Sequence, residues 1–360
     1  MYCINDKETI MTEAQKKMLD ALLEKIKRDF SDAVDALGIY GSVSSGDIHP
    51  KSDLDLLILI NDAKAYSLSQ CFILDDEKIG YDIYCTTWQM LEGDAQCNHA
   101  HLSKLMDSEI VYVRDADVTK RIGELKNQVR QILSSDIRFK KAGDIGDRIF
   151  KKYARAMTSR SIGKLRSHAA EIIYTALDFV MIFNGRYFKK GIKRAFEELD
   201  GLELPKDFCT NIKRIVSGKS EDEVRMALTD LIREQLAFMD NAEKASGKKE
   251  KDSPAKDNIG GTYEEMFSNW KNKMGEAAEH DDVFSSFMNL ASFQYMLDEI
   301  CAQVDIRHFD AMENFNPDNL LENTETLDDT LEKYLQEYKK IGLEVKCYKN
   351  ADEFVKRYLK

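Results

Sequence analysis

Two short clusters in the stretch GSVSSGDIHPKSDLD, residues 41–55, place chemically capable side chains close together. Gly41-Ser42 opens it, and after ten intervening residues Asp53 and Asp55 close it. On an extended chain, positions i and i+2 face the same way, so the two carboxylates project together while Leu54 and Leu56 turn to the other side. Carboxylates this close repel each other unless a proton or a cation intervenes. Mg²⁺ takes hard oxygen ligands and commonly combines one or two carboxylates with substrate phosphates, which is the donor set this pair offers. Upstream, Gly41 permits a tight turn and a close backbone approach, and Ser42 offers a hydroxyl and an N–H to phosphate oxygens. A pair of aspartates alone is more often a solvated turn; joined to the Gly-Ser turn, it suits a metal-bound nucleotide.

Such residues need a scaffold, and the flanking sequence supplies one. Thr12 and Gln15 form a capping-box pattern ahead of Met18, Leu19, Leu22, Leu23, Ile26 and Phe30 at helical spacing, predicting a helix that ends near Gly38. After the quoted loop, LDLLILI is too short and too continuously apolar for a surface helix and reads as a buried strand. CFILDDEKIGYDIYCTTW adds two strand-like runs around a charged turn at Asp75 to Lys78, and EIVYVRD (109–115) adds another. From about Asp144 the pattern is helical, with Ile162 to Phe183 the clearest segment and Asn184-Gly185 its stop. The stretch 244–261 is polar, rich in lysine and carries Pro254, so it reads as a linker or loop, and helical periodicity resumes after it.

These signals divide the 360 residues into an α+β domain with a mixed central sheet (1–135), a helical bundle domain (136–244), a linker (245–261) and a mostly helical C-terminal region (262–360). The formal net charge of −12 opposes a broad grip on nucleic-acid phosphates and fits small or cationic partners. Cys3, Cys71, Cys85, Cys97, Cys209, Cys301 and Cys347 form no CxxC pair, which suggests neither a zinc site nor a disulfide framework and fits a reducing cytoplasm. No apolar run approaches the roughly 20 residues that span a bilayer, and the N-terminus carries no signal-peptide pattern.

The order helix, short strand, GS, ten residues, then DLD leading an apolar strand, over about residues 12–115, resembles the nucleotidyltransferase superfamily that includes DNA polymerase β and the enzymes adenylylating aminoglycoside and lincosamide antibiotics. The resemblance implies a third carboxylate on a neighbouring strand. Asp82 in IGYDIYCT is its best candidate, with Asp75 and Asp76 as competitors in a turn-like setting. It also implies two Mg²⁺ ions on Asp53, Asp55 and Asp82, and ATP or another nucleoside triphosphate as co-substrate. An acceptor hydroxyl would attack the α-phosphorus and pyrophosphate would leave. In the antibiotic-modifying relatives a helical domain can lend a general base. Lys164, His168, Glu171, Thr175 and Asp178 recur along one face of the 162–183 helix. That face is either solvated or puts Glu171 near the acceptor as base and Lys164 near the triphosphate. Lys189, Lys190, Lys193 and Arg194 are either solvated surface or a draw for the nucleotide, and His99 with His101 reads as a partly buried pair.

The leading expectation is therefore an adenylyltransferase acting on a small hydroxylated molecule, of aminoglycoside type. The alternatives are a regulatory nucleotidyltransferase that modifies a protein or RNA partner, as in toxin–antitoxin pairs, and a nucleotide-binding module without turnover. Residues 262–360 are left for acceptor binding or for self-association as a homodimer.

Overall fold

The structure, a computed structural model, describes residues 11–47, 52–76, 78–245 and 251–359, with the backbone alone for 241–245. Cys3, residues 48–51 of the glycine-rich loop, position 77 of the charged turn and residues 246–250 of the polar stretch lie outside the described residues. The chain forms two compact units, Met1–Lys244 and Ala245–Lys360.

In the first unit, helix α1 (Glu13–Asp29) begins with the expected box: the Thr12 hydroxyl accepts the Gln15 N–H at 3.2 Å, and the Gln15 side-chain oxygen accepts the Thr12 N–H at 2.9 Å. The helix stops nine residues short of Gly38, because the apolar run that follows is already strand β1 (Val34–Ile39), buried along its whole length. Gly38 sits inside that strand. A β-carbon there would meet Ile110 Cδ1 and the Ser108 β-carbon at 3.1 Å each, so glycine lets the neighbouring strand approach.

A five-residue helix α2 (Gly41–Ser45) follows, and then strands β2 (Leu56–Ile60), β3 (Gln70–Leu74), β4 (Ile79–Ile83) and β5 (Cys85–Thr87), helices α3 (Trp88–Asp94) and α4 (Ser103–Met106), and strand β6 (Glu109–Val113). The main sheet has the order β5-β2-β1-β6; β1 is antiparallel to β2 and β6, and β5 runs parallel to β2, so the sheet is mixed. The β3–β4 hairpin is a separate two-stranded sheet, where the sequence suggested strands of one central sheet.

The unbroken apolar run of β2 has a physical cause: both faces of the sheet are covered. Leu56, Ile58 and Ile60 join Leu19, Leu22 and Ile26 of α1 and Tyr81 and Ile83 of β4 in one core. Leu57 and Leu59 join a second core with the helices that follow. Those are α5 (Ala116–Ser134), α6 (Ile137–Met157), α7 (Ile162–Phe183), α8 (Ala195–Glu198), α9 (Phe208–Ser217) and α10 (Glu221–Ala245), with Ile145, Ile172, Phe179 and Leu228 fully buried between them.

The second unit is helical. Helices Asn272–Glu279, Val283–Gln303 and Leu320–Lys340 close on Met274, Phe293, Leu297, Leu327 and Tyr334. Part of the stretch expected as linker is built into this unit: Asp252 bridges to Val304, and Ile259 is fully buried. No helix among the described residues is long and apolar enough to cross a membrane.

Candidate functional site

Asp53 and Asp55 lie on the extended approach to β2. Leu54 between them is buried in the α1-side core with Leu56, so the carboxylates carry the opposite parity, that of Leu57 and Leu59. Asp53 is exposed and Asp55 half-buried. Burial first, and then the charge of Asp53, pushes the Asp55 carboxyl up to about 6, against an opposing hydrogen bond from the Ser42 N–H.

That hydrogen bond involves a group singled out from the sequence. The Ser42 N–H, read from sequence as a seat for phosphate oxygen, is engaged by the Asp55 carboxylate. The cause is the backbone of Gly41, whose φ of +69° turns the chain onto Asp55. A β-carbon at position 41 would stand 1.9 Å from Asp55 Oδ2 and 2.6 Å from Cγ. The Tyr40 N–H also donates to the Asp55 carbonyl at 3.1 Å, so the turn and the carboxylate strand are locked on both sides of the glycine.

The strand approach is held from behind by a residue sequence reading assigned only to capping. The fully buried Gln15 uses its oxygen in the α1 cap and donates its amide to the Ser52 and Asp53 carbonyls, each at 3.1 Å. The capping box was legible, but the second use depends on a contact 37 and 38 residues away.

Asp82 is on β4, outward from Tyr81 and Ile83, and lines an open groove of about 620 Å³ together with Asp53, Cys71 and Ile73. Its carboxylate accepts a hydrogen bond from the Cys71 thiol at 3.1 Å, across the hairpin register. Asp75 and Asp76 sit at the turn of that hairpin, where Asp75 pairs with Lys78. Among the described residues no three His, Cys, Asp or Glu side chains converge as a ready-made metal cluster. The residues nonetheless fit a divalent cation: hard carboxylate oxygens, with the Asp55 carboxyl pushed up by burial and then by its neighbour's charge, and phosphate oxygens left to complete the shell.

On α7, Glu171 is exposed and faces Lys152 Nζ at 3.4 Å and His168 Nδ1 at 3.8 Å; Lys164 is exposed in the first turn, whose Ser161 hydroxyl caps the Lys164 N–H. Neither lines the groove shared by Asp53 and Asp82. The face they share is not solvated throughout. Thr175 is buried and bonds the Glu171 carbonyl, and Asp178 accepts the Ala100 N–H at 2.8 Å and faces His101 Nε2 at 3.7 Å. His101 stacks on the buried Phe188, and His99 faces Asp94 at 3.3 Å, so the two histidines have separate acidic partners. The lysine-rich run is tied to the segment after α2: Arg194 donates twice to Asp47, at 3.1 and 3.3 Å, and that contact, with Lys193 and Lys190 adding to it, holds the Asp47 carboxyl below its usual range.

Residues 19–134 match the profile of the nucleotidyltransferase domain, a span that contains the Gly-Ser turn, both aspartates and Asp82. No curated protein matches the chain. Among solved structures, the chain is similar to a nucleotidyltransferase-like protein from Exiguobacterium sibiricum 255-15, with 13% identity over 78% of this chain and 91% of that one and a TM-score of 0.37.

Proposed function

We propose that the protein transfers a nucleoside monophosphate, AMP from ATP in the simplest case, to a hydroxyl of a small molecule. The observation that carries this reading is the Asp53–Asp55 pair set against Gly41 inside the segment that matches the nucleotidyltransferase domain. A matched domain with its turn and carboxylates dispersed would give it no support.

In this reading Asp53 and Asp55 hold Mg²⁺, and Asp82, which lines the same groove as Asp53, is the third carboxylate. Two bound ions would supply electrostatic stabilisation to the attacking and leaving oxygens. The acceptor oxygen forms a bond to the α-phosphorus as the bond to pyrophosphate breaks, and the hydroxyl proton passes to a carboxylate base, for which Glu171 on α7 is our assignment. Gly41 leaves room for the Asp55 carboxylate beside the turn. Lys164 and the Lys189, Lys190, Lys193 run are the cations assigned to the triphosphate. Aminoglycoside-type antibiotics are the first acceptors to try, because a cationic hydroxylated molecule suits the net charge of −12.

The test is incubation of the full chain with each labelled nucleoside triphosphate and Mg²⁺, against a panel of hydroxylated small molecules, with protein and RNA as further acceptors. Metal-dependent pyrophosphate release with label on a small molecule is the expected result. Label on protein or RNA would move the reading to a regulatory enzyme, and nucleotide binding without release would contradict transfer.

A further inference from the structure

We propose that Cys71 is a positioning residue for Asp82, its thiol holding that carboxylate in place on the wall of the groove it shares with Asp53. The inference rests on the reading of Asp82 as the third carboxylate. Cys71 and Asp82 are directly paired in the antiparallel β3–β4 hairpin, where Phe72 pairs with the buried Tyr81 and Ile73 with Gly80. Side chains of such a pair stand about 5 Å apart at their β-carbons, close enough to interact and too far to require it. Here the interaction is made: Cys71 Sγ lies 3.1 Å from Asp82 Oδ1. The pair on the turn side offers Asp82 no donor side chain, because Ile73 is apolar and Gly80 has none, and the Tyr84 hydroxyl on the other side is bonded to Tyr40.

The location separates this role from a structural one. Cys71 is exposed, while the hairpin packs through Phe72, Ile79, Tyr81 and Ile83 on its other face. Truncating Cys71 therefore removes almost no buried surface. What it removes is the donor that fixes one oxygen of a carboxylate on an otherwise open hairpin, leaving the second oxygen for a cation. Partners of this kind, which orient a ligand without touching the metal, typically contribute 10- to 100-fold in metal affinity or activity. A serine would keep the donor; an alanine would not.

The experiment compares the full-length parent, Cys71→Ala, Cys71→Ser and Asp82→Asn. Two readouts are taken: Mn²⁺ affinity by electron paramagnetic resonance without nucleotide, and the metal concentration giving half-maximal pyrophosphate release. Cys71→Ala should weaken both by about 10-fold or more, with the KM for nucleotide and the melting temperature close to parent, and Cys71→Ser should recover most of the loss. Unchanged Mn²⁺ affinity in Cys71→Ala, with Asp82→Asn inactive, would overturn the role of Cys71 alone. A serine variant no better than alanine would overturn the hydrogen bond as its cause. An Asp82→Asn variant with parental metal binding and transfer would overturn the reading of Asp82 and this inference with it.

Discussion

The Asp55 carboxylate fills the space that a side chain on Gly41 would need: a β-carbon there would stand 1.9 Å from Asp55 Oδ2. The glycine is therefore needed both for its φ of +69° and for the carboxylate that fills the place of its side chain. Replacement by alanine should cost about 1–2 kcal/mol in backbone strain. It must also displace Asp55, and misplacement of a reacting group by about 1 Å can cost on the order of 10²-fold in rate. Pyrophosphate release and thermal melts of Gly41→Ala should show a loss of activity well beyond the loss of stability. A variant within a few-fold of parent activity would mean that Asp55 does not need its observed position.

The Asp55 carboxyl gives the protein a pH signature. Burial and the charge of Asp53 raise it from an ordinary 3.8 to about 6, so the folded chain holds this proton more tightly than the unfolded chain. Its contribution to stability is present in full at acid pH and is lost as pH rises through about 6, a deficit of roughly 1–3 kcal/mol at pH 8 for a half-buried group. Asp55→Asn should accordingly melt higher than parent at pH 8 without metal, and the difference should shrink toward pH 5. Divalent metal at pH 8 should stabilise the parent and not the variant. Equal melting curves at pH 8 would remove the electrostatic account of the pair.

Gln15 couples a helix cap to the carboxylate strand. Gln15→Leu removes its donors to the Ser52 and Asp53 carbonyls at the partly buried approach to β2, a cost of about 1 kcal/mol. Urea titration should register that loss, and transfer activity should fall further than stability because Asp53 loses its backbone anchor. Unaltered activity in the folded variant would show that the approach to β2 needs no support from α1.

Much of this arrangement was legible in the sequence because its signals are local. The capping box, the buried strand, the hairpin around Asp75 to Lys78 and the spacing of the Gly-Ser turn to the aspartates all depend on residues near each other in the chain. What the sequence concealed depends on long-range contact. Helical spacing alone could not end α1 at Asp29, since the apolar residues of β1 continue the run without a break. Periodicity put Thr175 and Asp178 on one face with Lys164, yet it carries no information on what packs there; the loop at Ala100 and His101 covers that end of the face. The Arg194–Asp47 contact joins residues 147 apart, and in sequence only a solvated charge run or a diffuse attraction for nucleotide could be read. The bond from Cys71 to Asp82 follows from hairpin register, which no pattern in CFILDDEKIGYDIYCTTW fixes uniquely.

The acceptor side has its own test in Glu171. If its carboxylate takes the acceptor proton, Glu171→Gln should lower kcat by about 10²- to 10⁴-fold and leave the KM for nucleotide near parent. Glu171 itself is exposed and its ion pair with Lys152 is only partly buried, so stability should change little. An unchanged kcat would return Glu171 to a surface role.

In the proposed reading Asp53 and Asp55 hold the cation for nucleotidyl transfer, and metal-dependent pyrophosphate release by Asp53→Asn and Asp55→Asn tests that role. Asparagine keeps the size of each side chain and removes the charge that binds Mg²⁺. Both variants should fold, melt no lower than the parent without metal, and show no release above background. Parental release from either one would contradict the assignment. So would a melting temperature many degrees below the parent, since it would make the pair a structural element and not a catalytic one.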